Sequence, residues 1–182
     1  SPLYYMINGV AFDRSNAQNS LFPATTGTNT GSVSGSVLVR LVNAGLRMHV
    51  PSIVGSQSTV TPIVNGTAGT PTTSGGWSLI AEDGNPLPGT PRMQNEVFMA
   101  AGKTYDVMID VPSGGTALPV YDRQLSLSGN ATSRDAGMLA YIGINGSGVP
   151  AATGLGAAKA NADTYHQALI AGQPFVVSDP SR

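Results

Sequence analysis

Apolar and polar positions alternate with period two along most of the chain, the pattern of strands that bury one face. In KTYDVMIDV, Tyr105, Val107, Ile109 and Val111 point one way and Thr104, Asp106, Met108 and Asp110 the other. This predicts an antiparallel strand with one dry face and one wet face. SVLVRLVN alternates as well, but Val37, Val39 and Leu41 are opposed by Leu38, Arg40 and Val42. With apolar residues on both faces it reads as a central strand. Further strands are predicted over Leu3–Ile7, Met48–Val54, Trp77–Ala81, Asn95–Met99, Leu118–Ser128 and Gly137–Ile144. Turn chemistry separates them: Asn8-Gly9, the run from Asp83 to Gly89, Ala100 to Lys103, Pro112 to Gly115 and Ser128 to Gly137. Short strands at this spacing predict an all-β, two-sheet sandwich or barrel.

Two segments rich in Gly, Thr and Ser, Pro23–Ser36 and Ser56–Gly76, read as long loops or a flap. The last thirty or so residues change character. Ala158, Ala162, Tyr165 and Leu169 recur at helical spacing between Gly156 and Gly172, with Pro174 just beyond. A short helix is expected there, leading through FVVSDPSR into a connector. The chain is thus read as one domain over 1–150 with a helical tail and interdomain connector over 151–182.

The length of 182 residues suits a single domain. No apolar run approaches the ~18–20 residues that span a bilayer. Nine Lys and Arg against ten Asp and Glu leave a net charge of −1, with no basic run to neutralise phosphates, which speaks against nucleic-acid binding. Charged residues make up 10 % of the chain against an ordinary ~25 %, a composition familiar from exported β-proteins. Periplasmic or secreted localisation is therefore expected. The opening SPLYYMINGV has no basic leader and reads directly as a strand, as in a mature or excised domain.

The sequence contains no cysteine, so disulfides, thiolate nucleophiles and thiolate metal ligands are excluded together. Its two imidazoles, His49 and His166, stand far apart, too few for a zinc or type 1 copper site made by this chain alone. GSVSG at Gly31–Gly35 has the glycines of a nucleophile elbow but carries Val33 at the position of the nucleophile. A hydrolase built on His49 therefore lacks a recognisable partner. Glu82-Asp83 lies before Gly84, Asn85 and Pro86 and reads as a turn rather than a cation site. The sequons at Asn65, Asn130 and Asn145 all fall in turns, as chance provides in such a composition. No catalytic, cofactor-binding or metal residue is assigned.

YYMINGVAF, VLVRLVNAGLRMHVPSIVG, WSLIAEDGNPLPGTPRMQNEVFMAAGKTYDVMIDVP, LPVYDRQLSLSGN and GMLAYIGI, in that order, resemble the second, plastocyanin-like domain of bacterial multicopper oxidases over residues 3 to 144. The most specific parts are the NG after the first strand, RLVNA, the DG turn and the GK-x-Y-D-V-x-I strand. The resemblance implies a Greek-key cupredoxin-like β-sandwich that binds no copper itself, within a parent oxidase that does. Its partners would be neighbouring cupredoxin domains, and it would not be catalytic alone. His49 is then a hydrogen-bonded structural histidine. The chain departs from the family in the insertion Ser56–Gly76 and in Trp77, where a histidine often stands. A stand-alone β-sandwich adhesion or binding module is the alternative.

Overall fold

The computed structural model describes residues 2, 4–24, 35–112, 114–126, 136–146 and 148–149, with only the backbone of 136. The predicted helix at Ala158–Leu169, His166, the segment Phe175–Val177, the elbow-like 31–34 and the sequon at Asn130 lie outside them.

Two sheets face each other. The first runs in the order Asn85–Pro86, Trp77–Glu82, Thr104–Asp110, Ser36–Val42, and Arg92–Gln94 also pairs with Trp77–Glu82. The second runs Leu21–Pro23, Leu139–Ile144, Thr116–Asp122, Pro51–Ile53. Apart from the parallel contact of Leu21–Pro23 with Leu139–Ile144, the pairings within both sheets are antiparallel. The chain crosses between sheets after Ser36–Val42, after Pro51–Ile53 and after Thr104–Asp110, and neighbours in space are distant in sequence, which is Greek-key connectivity. The fold is an all-β sandwich, as the alternation predicts.

The strand phases follow the sequence because a pleated strand sends successive side chains to opposite faces. Val107 and Ile109, both 0 % exposed, meet Trp77, Leu79, Ile53, Leu118, Val120 and Ile144 in one core, and Tyr105 and Val111 flank it. On the other face Asp106 pairs across the sheet with Arg40 through two contacts of 2.8 Å. The two-residue turns form as written. Asn8-Gly9, Asn65-Gly66 and Asp83-Gly84 all take positive φ at both positions, the type I′ geometry that matches strand twist.

Several boundaries differ. Among the described residues Ser36–Val42 is an edge strand, not a central one, and Leu38 and Val42 are exposed. Its second apolar face is surface, a distinction that alternation cannot make. Residues 4–7 form no strand; Ile7 and Val10 bridge each other across the Asn8-Gly9 turn. The strand predicted at Asn95–Met99 falls at Arg92–Gln94, although Val97 and Met99 do bury. Met48–Val54 shortens to Pro51–Ile53, and ahead of Pro51, which has no N–H to offer, only a lone bridge of His49 to Met99 forms. Leu118–Ser128 becomes Thr116–Asp122, ended by a turn.

Ser56–Gly76 is not a loop. Gln57–Val60 pairs with Thr72–Gly75, and Ile63–Val64 with Thr67–Ala68 farther along the same excursion. The pair Gln57–Val60 and Thr72–Gly75, tied within itself by Thr59 to Thr73 at 2.6 Å, rests on the outer face of the first sheet through hydroxyls: Ser58 to Ser78 at 2.6 Å and Thr59 to Asp110 at 2.7 Å. Hydroxyl contacts supply the adhesion that apolar contacts supply elsewhere. Gly76 closes the excursion at φ +101°, where a Cβ would stand 2.3 Å from the Gln94 carbonyl oxygen. Among the described residues no helix is long and apolar enough to cross a membrane.

Candidate functional site

His49 and Asp122 are 73 residues apart in sequence and meet at one end of the sandwich. Asp122 occupies the core phase of its strand, in step with Leu118 and Val120, and is 0 % exposed. A carboxylate so placed is tolerable only if its oxygens are filled. They are: Oδ2 accepts from the Ser126 hydroxyl at 2.6 Å and stands 2.8 Å from His49 Nδ1, while Oδ1 accepts from the backbone N–H groups of Val50 at 2.8 Å and Gln124 at 3.2 Å. Burial pushes its pKa upward, but the hydrogen bonds from Ser126, Val50, His49 and Gln124 together outweigh it and hold the carboxyl below the usual carboxylate value. The carboxylate clamps three segments: the one carrying His49 and Val50, its own strand and the turn at Ser126.

His49 is held equally firmly. Its backbone exchanges hydrogen bonds with Met99 at 3.0 and 2.9 Å, and the Tyr5 ring meets the imidazole edge to face at 6.2 Å. With Nδ1 against a carboxylate, a neutral ring keeps its proton there and leaves Nε2 as the acceptor. Nε2 looks towards a groove of about 980 Å³ whose walls include Tyr5, Met6, Leu41, Met99 and Arg47.

Asn43 shapes the floor. Its Nδ2 lies 2.7 Å from the Arg47 carbonyl oxygen and 3.0 Å from those of Met99 and Ala100, and its Oδ1 accepts from the Gly45 N–H at 3.0 Å. This buried side chain folds residues 43–47 into a tight loop beside His49. Neither Asn43 nor Asp122 is assigned a role by the sequence reading. The signal for Asp122 was present, a charge in the core phase of an apolar strand.

The other sequence candidates disperse. Glu82 and Asp83 belong to the type I′ turn, and both carboxylates engage Lys103. Lys103 hydrogen-bonds Asp83 and, with the Thr104 N–H, holds its carboxyl below the usual value; Asp83 first and Glu82 second hold the ammonium pKa above its own. Trp77 is fully buried, and its Nε1 has no hydrogen-bond partner among the described residues.

The donors do not fit a copper ion. The sequence has no thiol. The imidazole that is described gives Nδ1 to Asp122, and among the described residues no three His, Cys, Asp or Glu side chains gather. What the arrangement can offer is hydrogen bonding at a fixed imidazole nitrogen.

The chain is similar in structure to the blue copper oxidase from Nitrosomonas europaea, with a TM-score of 0.49 and 21% identity, over 76% of this chain and 34% of that one. It is also similar to the multicopper oxidase mgLAC (TM-score 0.46, 20% identity, 66% of this chain and 32% of that one). A third similar structure is a laccase from B. aclada (TM-score 0.43, 16% identity, 72% and 20%). The chain spans about a third or less of the length of each. No protein-family model matches the chain, and no curated protein matches it.

Proposed function

We propose that this chain is a copper-free, cupredoxin-like domain of a multicopper oxidase, exported to the periplasm or beyond. It sets the distance and orientation of copper-bearing domains, which couple oxidation of substrate to reduction of dioxygen. Residues 1–150 form the domain and 151–182 the helical tail and connector to a neighbour. The observation that carries this reading is spatial. Three of the four motifs of the resemblance, RLVNA, the Asp83-Gly84 turn and GKTYDVMI, are separate in sequence yet fall on or beside the neighbouring strands Ser36–Val42, Trp77–Glu82 and Thr104–Asp110 of one sheet. Their order along the chain and their adjacency in space agree, as they must if they are parts of one inherited fold.

The mechanical role draws support from the surface. Leu38 and Val42 face outward on the edge strand, and Leu46, 97 % exposed, stands at the tip of the adjoining loop. Apolar side chains clustered at one edge suit contact with another domain.

The test is metal analysis after copper loading and desalting. No stoichiometric copper is expected, since thiolate and paired imidazoles are lacking. A tight one-to-one signal with an intense blue band would defeat the reading. The full reading frame tests the other half: flanking His-x-His and cysteine-containing segments support the spacer role, whereas tandem sandwich repeats would favour the adhesion or binding module.

A further inference from the structure

Gly45 leaves a gap between polar groups that have no other use. A Cβ there would lie 3.4 Å from Asn43 Oδ1, 3.9 Å from His49 Nε2 and 4.0 Å from the Arg47 backbone nitrogen, at no strained φ. Nε2 and the Arg47 N–H make no hydrogen bond among the described residues. The charged side chains of the groove are Arg40 and Arg47, and no Asp or Glu lines it. Asp106 neutralises Arg40 through two contacts of 2.8 Å. The Arg47 guanidinium has no such partner among the described residues. One imidazole nitrogen and one free N–H thus stand beside the gap at Gly45, and one arginine without an ion-pair partner among the described residues lines the same groove, whose body is Tyr5, Met6, Leu41 and Met99.

We propose that this groove binds a small apolar 2-hydroxycarboxylate. The ligand hydroxyl hydrogen-bonds His49 Nε2, the ring nitrogen left free by the Nδ1 contact with Asp122. The carboxylate accepts from the Arg47 backbone N–H and pairs with its guanidinium. A hydroxyl and a carboxylate on adjacent carbons offer each of the two groups beside Gly45 one hydrogen bond of ~2.8 Å. The alkyl chain lies along the methionines, which adapt to varied apolar shapes. Groove size falls within the ~300–1,000 Å³ of small-molecule sites. Val42 and Leu46, named above for a domain contact, also line this groove, so the proposal concerns the chain on its own and is tested on it alone.

The experiment is amide chemical-shift titration of the 182-residue chain with 2-hydroxyhexanoate, hexanoate and 2-hydroxyhexanamide. Shifts should concentrate at Gly45, Arg47, His49 and Met99. Removing the hydroxyl or the anionic charge should each weaken binding about tenfold. Gly45→Ala should fill the cradle and abolish binding while the spectrum elsewhere keeps its dispersion. Arg47→Gln, a surface change that leaves the fold intact, should weaken 2-hydroxyhexanoate about fivefold or more without altering the affinity for the amide. Equal affinity for all three compounds, shifts centred elsewhere, or unchanged binding by Arg47→Gln would overturn the assignment.

Discussion

Asp122 receives hydrogen bonds from four groups, so its removal strands several donors at once. Asp122→Ala should cost about 3 kcal/mol or more, because it leaves the Val50 and Gln124 N–H groups, the Ser126 hydroxyl and His49 Nδ1 without their shared acceptor. Asp122→Asn keeps the shape and some acceptor capacity and should cost less; urea denaturation measures both. The depressed carboxyl value adds a pH signature. A group whose folded pKa lies below its unfolded value contributes stability that is present above the unfolded value, about 3.9 for Asp, and lost as pH falls through the folded one. Stability should therefore decline on acidification below about pH 4, and Asp122→Asn should flatten that decline. A variant with the wild-type slope would show that another carboxyl carries it.

At the scale of elements, the strand Thr104–Asp110 separates its two faces sharply. Val107→Asp places a charge in a fully buried apolar site and should cost more than about 4 kcal/mol, enough to unfold a domain of ordinary stability. Asp106→Ser removes only an exposed cross-strand ion pair and should cost no more than about 1 kcal/mol. Thermal melts distinguish the two, and the faces were legible from alternation alone. The hairpin over Ser56–Gly76 was not, because its Ser and Thr side chains carry no apolar signal and it is fastened by hydroxyl hydrogen bonds to Ser78 and Asp110. Gly76→Ala tests its anchor. A Cβ 2.3 Å from a backbone oxygen, at φ +101°, forces the junction apart and should cost about 3 kcal/mol. An unchanged urea midpoint would mean that the hairpin is not fastened there.

For the whole molecule, the exposed edge strand matters more than the core. Leu38→Asp together with Val42→Asp should alter the stability of the isolated chain by no more than about 0.5 kcal/mol per site, since both side chains already face water. In the parent oxidase, the spacer reading expects the same pair to lower turnover while copper content is retained, because the defect would lie in positioning. Turnover equal to wild type would remove this edge from the proposed domain contact.

The sequence by itself determined the strand phases, the Asn-Gly and Asp-Gly turns and the lack of any thiolate chemistry. Each of these is a local property: period-two burial belongs to one strand, positive φ to one dipeptide, a ligand type to one residue. Tertiary structure decided the rest. Whether the apolar second face of Ser36–Val42 is core or surface depends on which strands lie beside it. Whether Asp122 finds His49 depends on the crossing of strands between sheets, and the gap beside Gly45 exists only because Asn43 folds its loop against Met99 and Ala100. These contacts join residues dozens of positions apart, and no window along the chain contains both ends of any of them.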